Sequence, residues 1–390
     1  MFHFSQQAAL EALDQFIPRA GEAYARTRNY EYGPDARINV SSLSPWVRLR
    51  LIPEWQLITA VLDHHSVSHA SKFIDEVCWR TYWKGWLSRR PTVWQDYCTQ
   101  LAKDQVTAGD LPRYVEVISA SSGIECLDAW TRELIDTGYL HNHARMWFAS
   151  IWVHTLQLPW SLGADFFLRH LLDGDAATNT LSWRWVAGLH TAGKTYLATA
   201  DNIRHFSKGR FNPQIELATV PIDVTDSAPN PLAQPYEKLA PIPSCKHVGL
   251  LLHEEDVSAL SWLYDQTEVR ATAGLIPQDA YQRHRIKQPV FDFRHSCLCE
   301  ASEGRAEVYT DVEAVVEWAV AAQLDLVLMA EPAVGIWDQV VPELLHALQQ
   351  KSIQLAFKRH WWDEHFYPHA QAGFFRFKKA IPGALDQLVK

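Results

Sequence analysis

The sequence predicts two domains: an all-α domain over residues 1–212 and a smaller α/β domain over residues 244–390 with a mainly parallel sheet. Residues 213–243 separate them and hold seven of the chain's 20 prolines. Proline lacks an N–H and fixes φ, so such a density excludes helix and continuous sheet. We therefore expect an extended linker there.

Before the linker, apolar residues recur with the helical period. The stretch GIECLDAWTRELIDTG predicts a helix that stops at Gly138, because glycine is common at helix C-termini. The stretch HARMWFASIWVHTLQL predicts a strongly apolar helix that is halted by Pro159. A third helix, SLGADFFLRHLL, is predicted to be capped by Ser161 and to stop near Gly174.

After the linker, short buried runs alternate with amphipathic stretches. HVGLLL and LDLVLM are typical of buried strands. DVEAVVEWAVAAQ and WDQVVPELLHALQQ have the pattern of amphipathic helices. Alternation of strand and helix predicts a parallel sheet in this part of the chain.

Composition is that of an ordinary soluble protein, with 47% hydrophobic and 21% charged residues in 390. The 17 tryptophans are unusual, and because a buried indole N–H needs a partner, they suggest ring-stacking surfaces. Six scattered cysteines without paired spacing indicate reduced thiols, and the N-terminal residues show no secretory signal. No run of 18 uncharged apolar residues is present, so we expect a cytoplasmic protein without a membrane span.

The formal net charge of −9 is unevenly distributed. Residues 1–212 carry 21 basic and 21 acidic side chains, and residues 213–390 carry 15 and 24. The first part can therefore present a basic face to nucleic acid, whereas the second would repel phosphates.

The stretch LLDGDAATNTLSWRWVAG, residues 171–188, is too polar and too aromatic for an ordinary core helix. Together with GYLHNHARMWFASIW and DEVCWRTYWKGW, it resembles the flavin-binding domain of the DNA photolyase and cryptochrome family. The resemblance covers roughly residues 20–210, with three motifs in the family's order. It implies an all-α, photolyase-like FAD-binding domain.

The resemblance also assigns residues to the cofactor. Tyr24 and Arg28 would lie beside the FAD phosphates, and Arg80 would face them too. Residues 40–45, VSSLSP, match the phosphate-binding loop, with Val40 in place of the usual threonine. The remaining cofactor-binding positions are Ser41, Ser42, Leu43, Ser44, Phe73, Asn142, Arg145, Asp173, Asp175 and Asn179. Asp173 would pair with Arg145, Asp175 would accept from the flavin ring edge, and Asn179 would face flavin N5.

The same resemblance implies a site for damaged DNA and an electron relay. Glu76, Trp79, Asn142, Met146 and Trp185 match the lesion pocket. Trp183 would be the first indole of the relay and Trp160 the second; the third is open among Trp94, Tyr97 and Tyr114. His143 replaces an arginine that contacts DNA phosphate, which would weaken that contact near neutral pH.

The function implied is light-dependent repair of cyclobutane pyrimidine dimers by electron transfer from reduced FAD, in a monomer that binds UV-damaged DNA. Two alternatives stay open: a blue-light photoreceptor of the cryptochrome type and, less favoured, repair of (6-4) photoproducts. About 60 residues near the end of this domain, including SIQLAF as a strand, resemble the last portion of the family's antenna domain, and this resemblance implies a swapped domain order and a shortened domain. We expect this domain to dock away from the Trp79–Trp185 pocket, and an antenna pigment is left open.

Simpler explanations exist for single residues. Asp173 and Asp175 are also typical of helix caps. His65 and His69 have a spacing that can hold a metal, but no acidic base lies nearby, so a metal is not favoured. Lys84, Arg89 and Arg90 are typical of a solvated face.

Overall fold

The structure, a computed structural model, describes residues 2–191, 194–224, 230–263 and 268–388. The part before the linker contains helices and no strand among its described residues. These helices are α1 (Gln6–Phe16), α2 (Glu22–Thr27), α3 (Ser44–Arg48), α4 (Glu54–Leu62), α5 (Val67–Ser88), α6 (Thr92–Thr107), α7 (Pro112–Ile118), α8 (Glu125–Thr137), α9 (Asn142–Ser150), α10 (Trp160–His170), α11 (Ala176–Val186) and α12 (Ala200–Phe206).

Of the four helix ends predicted from the sequence, those at Gly138 and before Pro159 are confirmed, and the helix expected to stop near Gly174 ends at His170. Helix α8 ends at Gly138, which adopts the left-handed conformation (φ 66°) that glycine tolerates best. Helix α9 continues into a π-helical turn, Ile151–Thr155, and helical structure ends before Pro159. The predicted cap at Ser161 is wrong, because Pro159 precedes the first turn of α10. The Ser161 hydroxyl instead donates to the Asp104 carboxylate on α6.

The described residues between Phe206 and Val248 form neither helix nor strand, and residues 225–229 of the predicted linker lie outside the described ranges. Arg89 and Arg90 hold the linker on the helical domain, with Arg89 Nε donating to the Gln234 carbonyl at 2.8 Å and Arg90 Nε to the Pro231 carbonyl at 3.1 Å. The prediction that Lys84, Arg89 and Arg90 form a solvated face is therefore wrong, since all three are buried.

All five described strands lie in one parallel sheet with the order β3-β2-β1-β4-β5, which confirms the predicted parallel sheet. The strands are β1 (Val248–His253), β2 (Val269–Leu275), β3 (Glu307–Tyr309), β4 (Leu326–Ala330) and β5 (Gln354–Lys358). The helices of this part are α13 (Ala259–Leu263), α14 (Gln278–Arg283), α15 (Gln288–Ala301), α16 (Val312–Ala321), α17 (Trp337–Gln349), α18 (Trp361–Phe366), α19 (Phe374–Phe377) and α20 (Ile381–Leu388).

The two parts pack against each other through a charged and aromatic interface. Arg50 is buried and pairs with Glu54 of its own part and with Asp256 and Asp363 of the second. The His360 ring stacks on Trp55 with centroids 3.8 Å apart. A buried arginine needs this many partners, because an unpaired charge at low dielectric is costly. A cavity of about 220 Å³ lies beside these residues.

None of the helices in the described ranges has the length and apolar character needed to cross a membrane.

Candidate functional site

An ion pair between α9 and the loop before α11 forms the centre of the candidate site. Arg145 donates to both carboxylate oxygens of Asp173, at 3.0 and 2.9 Å, and this is the pair that the sequence predicts. Ser44, at the start of α3, donates to the same carboxylate at 2.5 Å. Burial alone would raise the pKa of Asp173, but Arg145 and Arg80 outweigh it and hold this pKa below its usual range. Asp173 is therefore a buried, fully ionised carboxylate.

A second ion pair lies beside the first and joins α5 to α11. Arg80 donates to Asp175, whose other oxygen accepts from the Thr178 backbone N–H at 2.6 Å. Asp175 is thus the N-cap of α11, so the capping explanation holds for this residue. The resemblance implies that Arg80 faces the FAD phosphates. In the structure, its guanidinium pairs with the Asp175 carboxylate. Asn179, one turn later, donates to the Ala164 carbonyl at 2.7 Å and ties α11 to α10.

The residues expected near the phosphates lie on α2, α5 and the loop before α3. The rings of Tyr24 and Phe73 meet edge to face, with centroids 5.4 Å apart. Arg28 pairs with Glu76 at 2.6 Å. In the loop, Ser41 Oγ accepts from the backbone N–H of Leu43. Ser42 has a left-handed φ of 52°, a conformation that costs energy for a residue with a side chain and is found at ligand-binding loops.

The donor set of the cluster tests whether it suits a polar cofactor. With three arginines, three carboxylates, hydroxyls and an amide, the cluster offers the donors and acceptors that a flavin ring edge and phosphates require. The residues present therefore fit FAD.

The residues assigned to the lesion pocket are more accessible than this cluster. Asn142 is exposed in the first turn of α9, and its amide nitrogen lies 4.0 Å from the sulfur of Met146. Trp185 is half-buried and stacks on Tyr196 with centroids 5.8 Å apart. Burial raises the pKa of Glu76, although Arg28 opposes the shift. A raised pKa favours the protonated acid, which can donate a hydrogen bond to a base.

Trp79 is half-buried as well, and the second domain contacts it. Its ring stacks on Phe374 of the second domain, with centroids 3.9 Å apart and an interplanar angle of 9°. Lys378 of the same segment pairs with Asp75 on α5. The expectation that the second domain stays away from Trp79 is therefore wrong: apolar rings on both sides gain by excluding water from each other.

The His143 ring lies inside the domain. It is buried, with Nδ1 2.8 Å from the Asn29 carbonyl and Nε2 3.3 Å from the Tyr196 hydroxyl. Burial lowers the pKa of His143, so the ring is neutral near pH 7. The weakened contact with DNA phosphate stays a prediction.

The expected relay residues are buried in an aromatic cluster. Trp183 lies 6.0 Å from Trp152 between ring centroids, and Trp152 lies 5.8 Å from Tyr114. Trp160 lies 5.6 Å from Tyr97, which lies 5.1 Å from Trp94. Trp152 was missed from the sequence, because an indole inside an apolar helix is typical of core.

His65 and His69 each contact another group of the protein. His65 Nε2 lies 2.6 Å from the Ile17 carbonyl, and the His69 ring lies 3.5 Å from Glu22. Over the described ranges, no group of three or more histidine, cysteine, aspartate or glutamate side chains is arranged to hold a metal ion.

Comparison with known proteins agrees with this geometry. Residues 73–216 match the FAD-binding domain of DNA photolyase. Over these residues the chain is similar to DNA photolyases. The matched residues begin at Phe73 on α5 and include both ion pairs of this photolyase-related domain, Arg145–Asp173 and Arg80–Asp175.

Individual relatives match over part of their length. The deoxyribodipyrimidine photo-lyase of Streptomyces griseus is 32% identical over 195 residues, 47% of this chain and 42% of the relative. The deoxyribodipyrimidine photo-lyase of Thermus thermophilus is 28% identical over 216 residues, which are 53% of this chain and 49% of the relative. This chain thus matches less than half of either relative's length. Among solved structures, a class III photolyase from Agrobacterium tumefaciens is 25% identical with a TM-score of 0.44, covering 52% of this chain and 43% of that one.

Proposed function

We propose that this protein binds FAD and uses light to split cyclobutane pyrimidine dimers in DNA. The observation that carries the proposal is the buried Arg145–Asp173 pair, joined to Ser44 and flanked by Arg80–Asp175, inside a segment that matches the FAD-binding domain of DNA photolyase. When bound, FAD would supply light absorption and one-electron chemistry.

The chain's own residues would hold both partners. Arg145, Asp173, Asp175 and Asn179 would orient the flavin ring, while Arg28 and the loop of residues 40–45 would face its phosphates. A dimer extruded from the duplex would meet Asn142, Met146 and Trp185, which the structure leaves accessible. Glu76, whose pKa is raised by burial, would contact the pyrimidine edge.

A photoreceptor of the cryptochrome type is the second candidate, and one specific contact favours it. Phe374 covers one face of Trp79, and buried His143 offers no charge to a DNA phosphate. Both features reduce the surface that a lesion could use. Under this alternative the same cofactor cluster would be kept, and light would change a partner surface instead of a DNA lesion.

The two candidates are separated by illuminating the reduced, FAD-containing protein with an oligonucleotide that holds one thymine dimer. We expect light-dependent loss of the dimer, read by chromatography, with a dark sample as control. Trp185→Ala should weaken dimer binding by about 1–3 kcal/mol, because base stacking on an aromatic ring contributes that much. Phe374→Ala should leave binding intact or improve it. Absence of repair by a protein that contains FAD would favour the photoreceptor.

A further inference from the structure

The short helix α19 of the second domain and the turn after it expose one aromatic ring and two cations beside the candidate lesion pocket. Phe374 and Phe377 are buried, whereas Phe375 is 85% exposed. Arg376 and Lys379 are exposed as well. We propose that Phe375, Arg376 and Lys379, the α19 surface, contact DNA, and that Phe375 stacks on a base next to the lesion. This inference rests on the proposed repair of dimers in DNA.

Packing on α5 places the α19 surface next to the candidate lesion pocket. The Phe374 ring stacks on Trp79, and the Phe375 ring centroid lies 6.5 Å from that of Phe374. The Phe377 ring meets Tyr82 of α5, with centroids 5.3 Å apart. Two ring contacts thus connect Phe375 to Trp79. DNA that presents a lesion to this pocket therefore passes close to α19.

The charge around α19 is opposite to that of the chain as a whole. Residues 365–388 carry three Lys or Arg side chains and one Asp, although the chain has a net charge of −9. Lys378 pairs with Asp75 on α5. Arg376 and Lys379 form no ion pair with any residue that the structure describes. A DNA phosphate can therefore approach both cations without displacing a carboxylate of the protein.

Another unpaired cation extends this charge onto α5. Lys72 is exposed, one turn before Glu76, and within the described ranges it forms no ion pair. Burial raises the pKa of Glu76, and Lys72 is close enough to oppose the shift together with Arg28. Cations of both domains thus flank the exposed ring of Phe375. An aromatic ring among cations is the combination that binds unpaired nucleotides, because the ring stacks on a base while the cations contact the backbone.

The state of the bases decides which DNA the ring can use. Extrusion of a dimer leaves the neighbouring bases without a stacking partner. A phenyl ring that covers such a base removes apolar surface of both from water. In an intact duplex the bases already stack on each other. Phe375 should therefore favour damaged or single-stranded DNA, whereas Arg376 and Lys379 should contact the backbone of any DNA.

The ring is tested with Phe375→Ala in the FAD-containing full-length protein, in the dark, by fluorescence anisotropy. The probes are a duplex with one thymine dimer, the same duplex undamaged and an undamaged single strand. We expect about tenfold weaker binding of the damaged duplex and of the single strand, as for the loss of one base stack, and little change for the undamaged duplex. Phe375→Trp should retain binding, because an indole also stacks on bases.

Phe4→Ala is the matched control for the ring. Phe4 is also an exposed aromatic residue, at 45%, but neither of its neighbours in sequence is a Lys or Arg. This variant should bind all three probes like wild type. Under light, Phe375→Ala should raise the dimer concentration needed for half-maximal repair more than it lowers the rate at saturation, because the ring acts on binding.

The cations are tested with the double variant Arg376→Gln/Lys379→Gln. Binding of all three probes should weaken, and the slope of log K against log salt concentration should become smaller by about 1–2, since each contact with a duplex phosphate contributes about 0.9. Arg283→Gln/Lys351→Gln removes the same charge at two exposed positions elsewhere on the domain, and it should keep the slope of wild type. Equal losses in the two double variants would show an effect of net charge alone and overturn the inference.

Further outcomes separate this inference from the proposed function. A wild type that binds the damaged duplex, with unchanged binding in Phe375→Ala and in Arg376→Gln/Lys379→Gln, would refute the α19 surface and leave the proposed function standing. A dimeric wild type that becomes monomeric in Phe375→Ala, measured by sedimentation velocity, would show that this surface binds a second copy instead of DNA. A wild type that contains FAD but neither binds nor repairs the damaged duplex would refute the proposed function, and this inference with it.

Discussion

At the scale of single residues, Asp173 holds the candidate site together. Its carboxylate accepts from Arg145 and Ser44, and its backbone carbonyl lies 3.5 Å from Arg80. These partners come from helices that are far apart in sequence. One buried charge therefore fixes the relative positions of α3, α5 and α9, which is the rigid support that a bound cofactor requires.

Asp173→Asn tests this role through stability. The substitution keeps the shape but leaves Arg145 without its counter-charge, so we expect a loss of about 3–5 kcal/mol in the free energy of unfolding. Urea unfolding of wild type and Asp173→Asn measures this loss in the free energy of unfolding. Asp201→Asn is the matched control, because its pair with Arg204 is exposed and should change stability by less than about 1 kcal/mol. Equal losses in the two variants would contradict the role of Asp173.

The same pair predicts a dependence on pH. The pKa of Asp173 is lowered in the folded protein, so its stabilising contribution is complete above the ordinary aspartate pKa, about 3.9, and is lost as pH falls below that value. The stability difference between wild type and Asp173→Asn should therefore shrink in acid. A difference that stays constant down to about pH 2 would show that the charge is not the cause.

At the scale of elements, α5 serves both the cofactor cluster and the domain interface. Arg80 reaches Asp175, while Thr81 accepts a hydrogen bond from the Trp362 indole at 2.9 Å. Lys84 lies 3.6 Å from Glu255 of the second domain. A shift of this helix would disturb both regions, so docking of the second domain and geometry of the site are coupled.

Gly85→Ala tests the interface side of α5. A Cβ at Gly85 would lie 2.8 Å from the Tyr367 ring and 3.0 Å from Ala370. Overpacking costs about 1–3 kcal/mol, which outweighs the gain of up to about 1 kcal/mol from removing a helical glycine. We expect a lower free energy of unfolding. Gly109→Ala, where a Cβ meets nothing within 4 Å, is the control and should not destabilise. A Gly85→Ala protein as stable as wild type would show that this contact is loose.

The elements that were predictable from sequence are those set by local signals. The apolar runs of β1 and β4 and the glycine after α8 each identified an element. Strand β2 was missed because Arg270 and Thr272 interrupt its apolar pattern, and β3 because it has three residues. Ser161 carried a capping signal, but its hydrogen bond to Asp104 on another helix prevailed.

At the scale of the whole molecule, contacts between distant segments were beyond sequence reasoning. The pairing of Arg145 with Asp173 was accessible through the family resemblance. Phe374 on Trp79 and Asp363 on Arg50 were not, because nearly 300 or more residues separate the partners and no local pattern connects them. The position of the second domain depends on these contacts.

Acid should destabilise the molecule through its buried histidines. Burial lowers the pKa of His141 to about 3 and lowers the pKa values of four others to about 4: His170, His190, His284 and His360. The unfolded chain takes up these protons near pH 6.5, so stability is complete above that pH and falls below it, by about 1.4 kcal/mol per histidine per pH unit.

Urea unfolding at about pH 7.5 and pH 5.5 measures this dependence, because histidine titrates between these values. His360→Asn should reduce the dependence by about one fifth, since Asn keeps an acceptor for the Trp362 backbone N–H but does not titrate, and the other four histidines remain. Equal stability at the two pH values would show that the rings are protonated without cost.

The central claim is that the cluster around Asp173 binds FAD, and titration of FAD into the FAD-depleted full-length protein tests it most directly. Flavin fluorescence and calorimetry give the stoichiometry. We expect one FAD per chain, with binding weakened in Asp173→Asn and retained in Asp201→Asn. A wild-type protein that is folded by circular dichroism but binds no FAD would contradict the claim.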